Sequence, residues 1–150
     1  MSSSEHEKLS VFIGKWHTTG EVAATASTPA AKVDFIDSYS WYPGKFFVVH
    51  DAEGTVGDEY SSSLEIIGYD TVRKCYMATF FDSTGGFGTE DIHLDGNTWT
   101  WRGSNVMGVT EHRCIAVVSE DGKTIRARHE KSSDGISWEL WMEVVLEKQQ

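Results

Sequence analysis

After Gly14 the chain never settles into a helical period. It runs in short stretches whose apolar and polar residues alternate, punctuated by turn residues. Alternation with a period of two marks a strand with one buried face. Ten such stretches are read: Lys15–Ala26, Lys32–Tyr42, Phe46–Glu53, Glu59–Tyr69, Cys75–Asp82, Phe87–Leu94, Thr98–Gly103, Val109–Val118, Thr124–Lys131 and Ser137–Glu147. Between them lie Pro43-Gly44, Tyr69-Asp70, Ser83-Thr84-Gly85-Gly86, Asp95-Gly96-Asn97, Asp121-Gly122 and Asp134-Gly135, residues suited to tight reversals. Consecutive strands with short connections make an antiparallel meander, and a meander this long closes on itself because closure removes its two edges. The predicted fold is all-β: an up-and-down antiparallel β-barrel of about ten strands. A short N-terminal helix over Ser4–Phe12 precedes it, with Ser4 as N-cap and Glu5 and Glu7 in the first turn.

A chain of 150 residues fits one domain. Its net charge of −10, with no run of basic residues, excludes a nucleic-acid partner held through phosphates. No apolar run approaches the ~20 residues of a membrane-spanning helix, and Met1–Lys8 has neither the basic nor the apolar region of a secretory leader. A cytoplasmic location without a membrane partner is expected. Cys75 and Cys114 form no C-x-x-C pair, which disfavours a zinc ribbon or a redox motif. They read as reduced, partly buried thiols, with a disulfide left open.

Alternation also sorts side chains between lumen and exterior. Trp16, Thr18, Gly20 and Val22 share one face of the first strand, against Lys15, His17 and Glu21. In the second, Val33, Phe35, Asp37, Tyr39 and Trp41 lie together. Leu64 and Ile66 share a face against Glu65, and Trp99 and Trp101 share another. Late in the chain Ile125, Ala127 and His129 read inward, as do Trp138, Leu140, Met142 and Val144, which leaves Trp141 outside. An outward Trp141 marks either a position covered by the N-terminal helix or a contact with a second copy in a homodimer. Asp37 and His129 thus fall on otherwise apolar inward faces, with Tyr39 as a candidate partner of Asp37. A buried carboxylate or imidazole is costly unless paired, so these groups either satisfy one another or orient a ligand or move its proton. His50, His93 and His112 lie in strands whose faces are mixed. Glu90-Asp91 reads as solvated. No H-E-x-x-H spacing or tight carboxylate–histidine cluster is present, so no metal is expected.

Leu9, Gly14-x-Trp16 and Gly20 begin a longer pattern. It continues with Trp41-x-Pro43-Gly44, Phe46-Phe47-Val48, Gly68-Tyr69-Asp70, Phe81-Asp82-Ser83 and Gly85. It ends with Arg128-x-Glu130-x-Ser132-x-Asp134-Gly135-x-x-Trp138. Over nearly its whole length the chain resembles a bacterial lipocalin-like (calycin) family of unknown function with an N-terminal G-x-W motif. The resemblance implies a calycin-type barrel of about ten strands and no established activity. In lipocalins generally a basic residue of a late strand packs over the first-strand Trp, a role for Arg126 or Arg128 over Trp16, although alternation turns both outward. Beyond Gly14 and Trp16 the pattern of the haem-binding nitrobindins is missing, and no cofactor is expected.

Two functions fit this reading. One is a binding module that holds a small apolar or aromatic molecule against Phe35, Trp41, Trp99, Trp101 and Met142, with Asp37 and His129 orienting it. The other is a cofactor-independent acid–base enzyme of isomerase, cyclase or lyase type in the same cavity, with His129 as base or acid, Asp37 its partner and Tyr39 a donor. A lumen filled by its own tryptophans would serve neither.

Overall fold

The computed structural model describes residues 3–150. Met1 and Ser2, the start of the segment read as lacking a leader, lie outside the described residues. A short helix, α1 (Ser4–Lys8), runs into a 3-10 turn over Leu9–Phe12. The N-cap is Ser3, one residue before the expected Ser4. The Ser3 hydroxyl accepts from the His6 main-chain N–H at 3.4 Å, and His6 Nδ1 accepts from the Ser3 N–H at 3.1 Å. This is a capping box with histidine in the place usually held by Glu or Gln.

Ten strands follow: β1 (Gly14–Val22), β2 (Ala31–Trp41), β3 (Val48–Val56), β4 (Glu59–Asp70), β5 (Cys75–Asp82), β6 (Phe87–Asp95), β7 (Thr98–Val106), β8 (Val109–Val118), β9 (Thr124–Ser132) and β10 (Glu139–Lys148). Each pairs antiparallel with its neighbours in sequence, and β1 pairs with β10 to close the barrel. Every expected strand is present. The loops before β2 and β3 take residues that alternation alone had assigned to strands.

One end of the barrel is plugged. Leu9 and Phe12 fold under it, and the Trp16 indole, fully buried, donates through Nε1 to the Phe12 carbonyl at 2.8 Å. Phe12 packs on Trp99 with centroids 4.9 Å apart, and Val48, Ile67 and Ile92 complete a layer shielded from solvent. Gly14 sets up this plug. Its φ of +134° is closed to most side chains, and a Cβ there would lie 2.8 Å from Lys148 Cε. Lys148 belongs in that place because its ammonium sits 5.5 Å from the Trp16 ring centroid. The basic residue over Trp16 is therefore Lys148 from β10, not Arg126 or Arg128. Arg128 instead pairs with Glu130 and Glu143 on the outer wall.

Two face assignments are corrected. The β9–β10 register slips between Leu140 and Met142. The bulge adds a residue to β10, so Trp141 turns inward beside Met142. Its ring stands edge-on to His112 at 5.7 Å, so it is neither a helix-covered surface Trp nor a contact for a second copy. Trp138, read as inward, lies outside beneath Arg113 at 4.2 Å and Arg102 at 5.2 Å. On β4 it is Glu65 and Ile67 that are buried inward, while Leu64 and Ile66 are half-buried on the outside.

Candidate functional site

A belt of polar side chains crosses the middle of the lumen, just above the plug. Its first half comes from β1 to β4. Pairing places Trp16 opposite Asp37, Tyr39 opposite His50 and His50 opposite Glu65. The side chains then join in series. The Thr18 hydroxyl donates to Asp37 Oδ2 at 2.5 Å. His50 donates through Nε2 to Asp37 Oδ1 at 2.6 Å and through Nδ1 to Glu65 Oε1 at 2.8 Å. Trp101 Nε1 donates to Glu65 Oε2 at 3.1 Å. Both His50 ring nitrogens face carboxylates, so the ring is an imidazolium. Burial works to lower its pKa, but the hydrogen bonds to Asp37 and Glu65, with their charges, more than reverse this and hold it at about 9. Tyr39 lies flat on the His50 ring with centroids 3.8 Å apart. Among the described residues it makes no hydrogen bond to Asp37, the partner expected for it. Burial, then the Asp37 and Glu65 charges, push the Tyr39 hydroxyl well above its ordinary pKa.

The second half comes from β6, β8 and β9. Glu90 is buried and accepts from His112 Nδ1 at 2.7 Å, which corrects its reading as a solvated residue. His112 Nε2 meets His129 Nδ1 at 3.0 Å, and His129 Nε2 lies 3.6 Å from Cys114 Sγ. Burial first, then the neighbouring His112, press the His129 pKa down to about 3, against an upward pull from Asp37. Burial and the Glu90 and Glu65 charges raise the Cys114 thiol well above its ordinary range. Cys75 and Cys114 are both free. Among the described residues no group of three or more His, Cys, Asp or Glu is arranged to hold a metal ion.

The structure thus brings Asp37, Tyr39, Trp101 and His129 to one belt and gives each a partner that alternation had not supplied. Phe35 lines the lumen on the side of the belt away from the plug, and Met142 stands opposite His129 on the adjacent strand. Trp99 is fixed in the plug, with 2% of its surface exposed, and Trp41 packs at the plugged end. His50, Glu65, Glu90, His112 and Cys114 were not singled out as site residues. For His50 the signal was present: Val48, His50, Ala52 and Gly54 alternate with Val49, Asp51 and Glu53, and only the second set carries strand-interior acids.

Away from the plug several inward residues are less sealed. Phe35, Gly54, Ser63, Phe80, His129, Trp141 and Met142 all face inward or belong to inward registers, yet each is only half-buried. Two cavities lie at the wall. One of about 410 Å³ opens where the β6–β7 ladder ends at Asp91 and Arg102, and touches Glu90 and Gly103. The other, about 760 Å³, is a groove beside α1, reaching from Lys8 and Tyr76 to His93 and Val118. Among the described residues no helix is long and apolar enough to cross a membrane.

No protein of curated function matches the chain. The crystal structure of Rv2717c from M. tuberculosis is similar in fold, with a TM-score of 0.72 and 12% identity over the full length of both chains. At that identity the likeness concerns the fold alone. Residues 1–148 match the model of a protein family of unknown function, DUF1579, and the chain belongs to that family.

Proposed function

We propose that the chain is a lipocalin-like binding module that takes a small apolar or aromatic molecule into the half of its lumen away from the plug. The observation that carries this reading is the contrast between the two halves. At the plug Trp16, Val48 and Ile67 are at 0% exposure, whereas Phe35, Phe80, His129, Trp141 and Met142, farther from it, are only half-buried. Folding alone would favour sealing that half as well, because interiors pack to high density. Phe35 and Met142 supply apolar contact there, and the belt supplies a few fixed polar groups at its floor, the usual composition of a small-molecule site.

The titration behaviour of the belt favours binding over acid–base chemistry. An effective proton-transfer group has a pKa near the working pH. Here His129 is held near 3 and His50 near 9, while the Tyr39 hydroxyl and Cys114 thiol are both driven upward. These four groups keep one protonation state around neutrality, which suits fixed recognition.

Native mass spectrometry of the purified protein, set against its denatured mass, tests the reading. An added mass that leaves on denaturation is expected, either as purified or after incubation with toluene-sized aromatics. A bare protein mass under both conditions, with no heat of binding for any aromatic probe, would refute it.

A further inference from the structure

The outward faces of β1, β2 and β9 carry exposed charges such as Glu21, Asp34 and Arg126, as expected of an antiparallel sheet with one face in water. β4 and β5 depart from this. Outward positions from Tyr60 to Gly68 on β4 and from Met77 to Phe81 on β5 hold no charged residue. Register joins their apolar side chains across three strands. Leu64 pairs with Phe81 and Phe81 with Phe87, while Ile66 pairs with Thr79 and Thr79 with Thr89. Phe81 is 45% exposed and Phe87 70%. An uncovered apolar row of this kind marks a contact surface. Charge returns at the two ends of the face. Asp58 and Glu59 stand at the start of β4, at the end away from the plug. Lys74, before β5, and Lys45, in the loop before β3, stand at the plugged end. All four are exposed, and none has a charged partner among the described residues.

We propose that this face is the contact between two copies of the chain, packed sheet on sheet about a twofold axis that crosses β4 and β5 at the level of the Glu65–Phe80 pair. Glu59 lies six residues before Glu65, and Lys74 six before Phe80 on the antiparallel strand. Acid and cation therefore stand equally far from that level, on opposite sides of it. A half-turn brings Glu59 of one copy beside Lys74 of its partner, and the contact occurs twice. The same half-turn sets the row Leu64–Phe81–Phe87 against the partner's row Ile66–Thr79–Thr89, so that bulky rings lie over threonines. Asp51 on β3 and Asp91 on β6 bound the face. They stay in water because a closed barrel curves away on both sides of the contact. A chain of net charge −10 repels its own copies, and the opposed ends offset that repulsion by meeting acid with cation. Nothing in the arrangement depends on what the lumen binds.

Sedimentation velocity over a concentration series tests the proposal. The native protein is expected at twice the 16.8 kDa of one chain, dissociating on dilution. Thr79→Arg, on the outer wall beside the axis, and Phe87→Glu, at a position already 70% exposed, keep the circular dichroism of the barrel and give the mass of one chain. Lys74→Glu and Glu59→Lys each weaken the dimer about tenfold, and the two together restore it to within about threefold of native. Only a second copy carrying both changes supplies that rescue; a different protein seated on the face would not. A one-chain mass at every concentration up to millimolar would overturn the proposal. So would a dimer that survives Thr79→Arg and Phe87→Glu, or a charge exchange that fails to restore association.

Discussion

The His50 imidazolium makes the stability of this barrel fall as pH rises above neutrality. In the unfolded chain the histidine pKa is that of a free side chain, 6.5, and in the fold it is about 9. A group whose pKa is raised by folding contributes its full stabilisation below the unfolded value and loses it as pH passes through the folded one. At 1.36 kcal/mol per unit, a rise of this size corresponds to about 3 kcal/mol. The His50 side chain is only 14% exposed, so solvent screening takes little from it. Between pH 6 and pH 8.5 the expected loss is about 2.5 kcal/mol, a large fraction of the 5–15 kcal/mol typical of a domain. Cys114, whose thiol is also raised by folding, adds to the loss only near and above the ordinary thiol range of about 8.5. The assay is urea unfolding at half-unit steps from pH 6 to 8.5, followed by tryptophan fluorescence. The control is Asp37→Asn combined with Glu65→Gln, which removes both carboxylates and with them the slope. A native protein whose stability stays flat within about 0.5 kcal/mol over that range, or a His50 ring that titrates near 6.5 by NMR, would refute the reasoning.

Three further outcomes are expected. His129 behaves in the opposite sense: its pKa falls on folding from 6.5 to about 3, so its contribution is intact above 6.5 and is lost as pH falls. This costs about 2 kcal/mol by pH 5 relative to pH 7, a slope that acid unfolding of His129→Gln should lack. Gly14→Ala should cost about 1–3 kcal/mol in chemical unfolding, because its φ of +134° is strained for alanine. Adding Lys148→Ala should restore only the part due to the clash with Lys148. Alkylation of the folded protein followed by peptide mass mapping should label half-buried Cys75 well before buried Cys114, whose thiolate is disfavoured by burial and by nearby carboxylates. Equal labelling would show that the lumen is more open than the structure has it.

The sequence carried the strands and their order in full, because alternation and turn chemistry are local signals. It carried the inward faces of β1, β2, β7 and β9 for the same reason. It failed on β4, where Leu64 and Ile66 are outside and Glu65 is inside, because alternation shows two faces without saying which is the lumen. The polarity of Glu65 pointed the wrong way. It failed on β10 because a single bulge reverses parity, and nothing in Glu139-Leu140-Trp141-Met142 marks the extra residue. The belt itself depends on register across strands up to 36 residues apart, as in the Trp101 hydrogen bond to Glu65. No local pattern encodes that.

These failures share a cause that bears on function. A carboxylate is tolerated inside a barrel when its partners come from other strands, so the cost of burying it is offset only once the barrel has closed. Asp37 and Glu65 are satisfied by His50, Thr18 and Trp101, and Glu90 by His112. The apolar plug can drive closure by itself: Trp16, Trp99, Phe12 and Leu9 are sealed from solvent, each burial of this kind contributing on the order of 2 kcal/mol. The belt is then a consequence of closure rather than its motor, and a chain selected for stability alone would hold leucine and valine in its place. Replacing it with apolar residues of matching volume should leave the barrel folded and as stable or more so. If such a barrel folded but no longer bound aromatic molecules, the belt would be there for recognition.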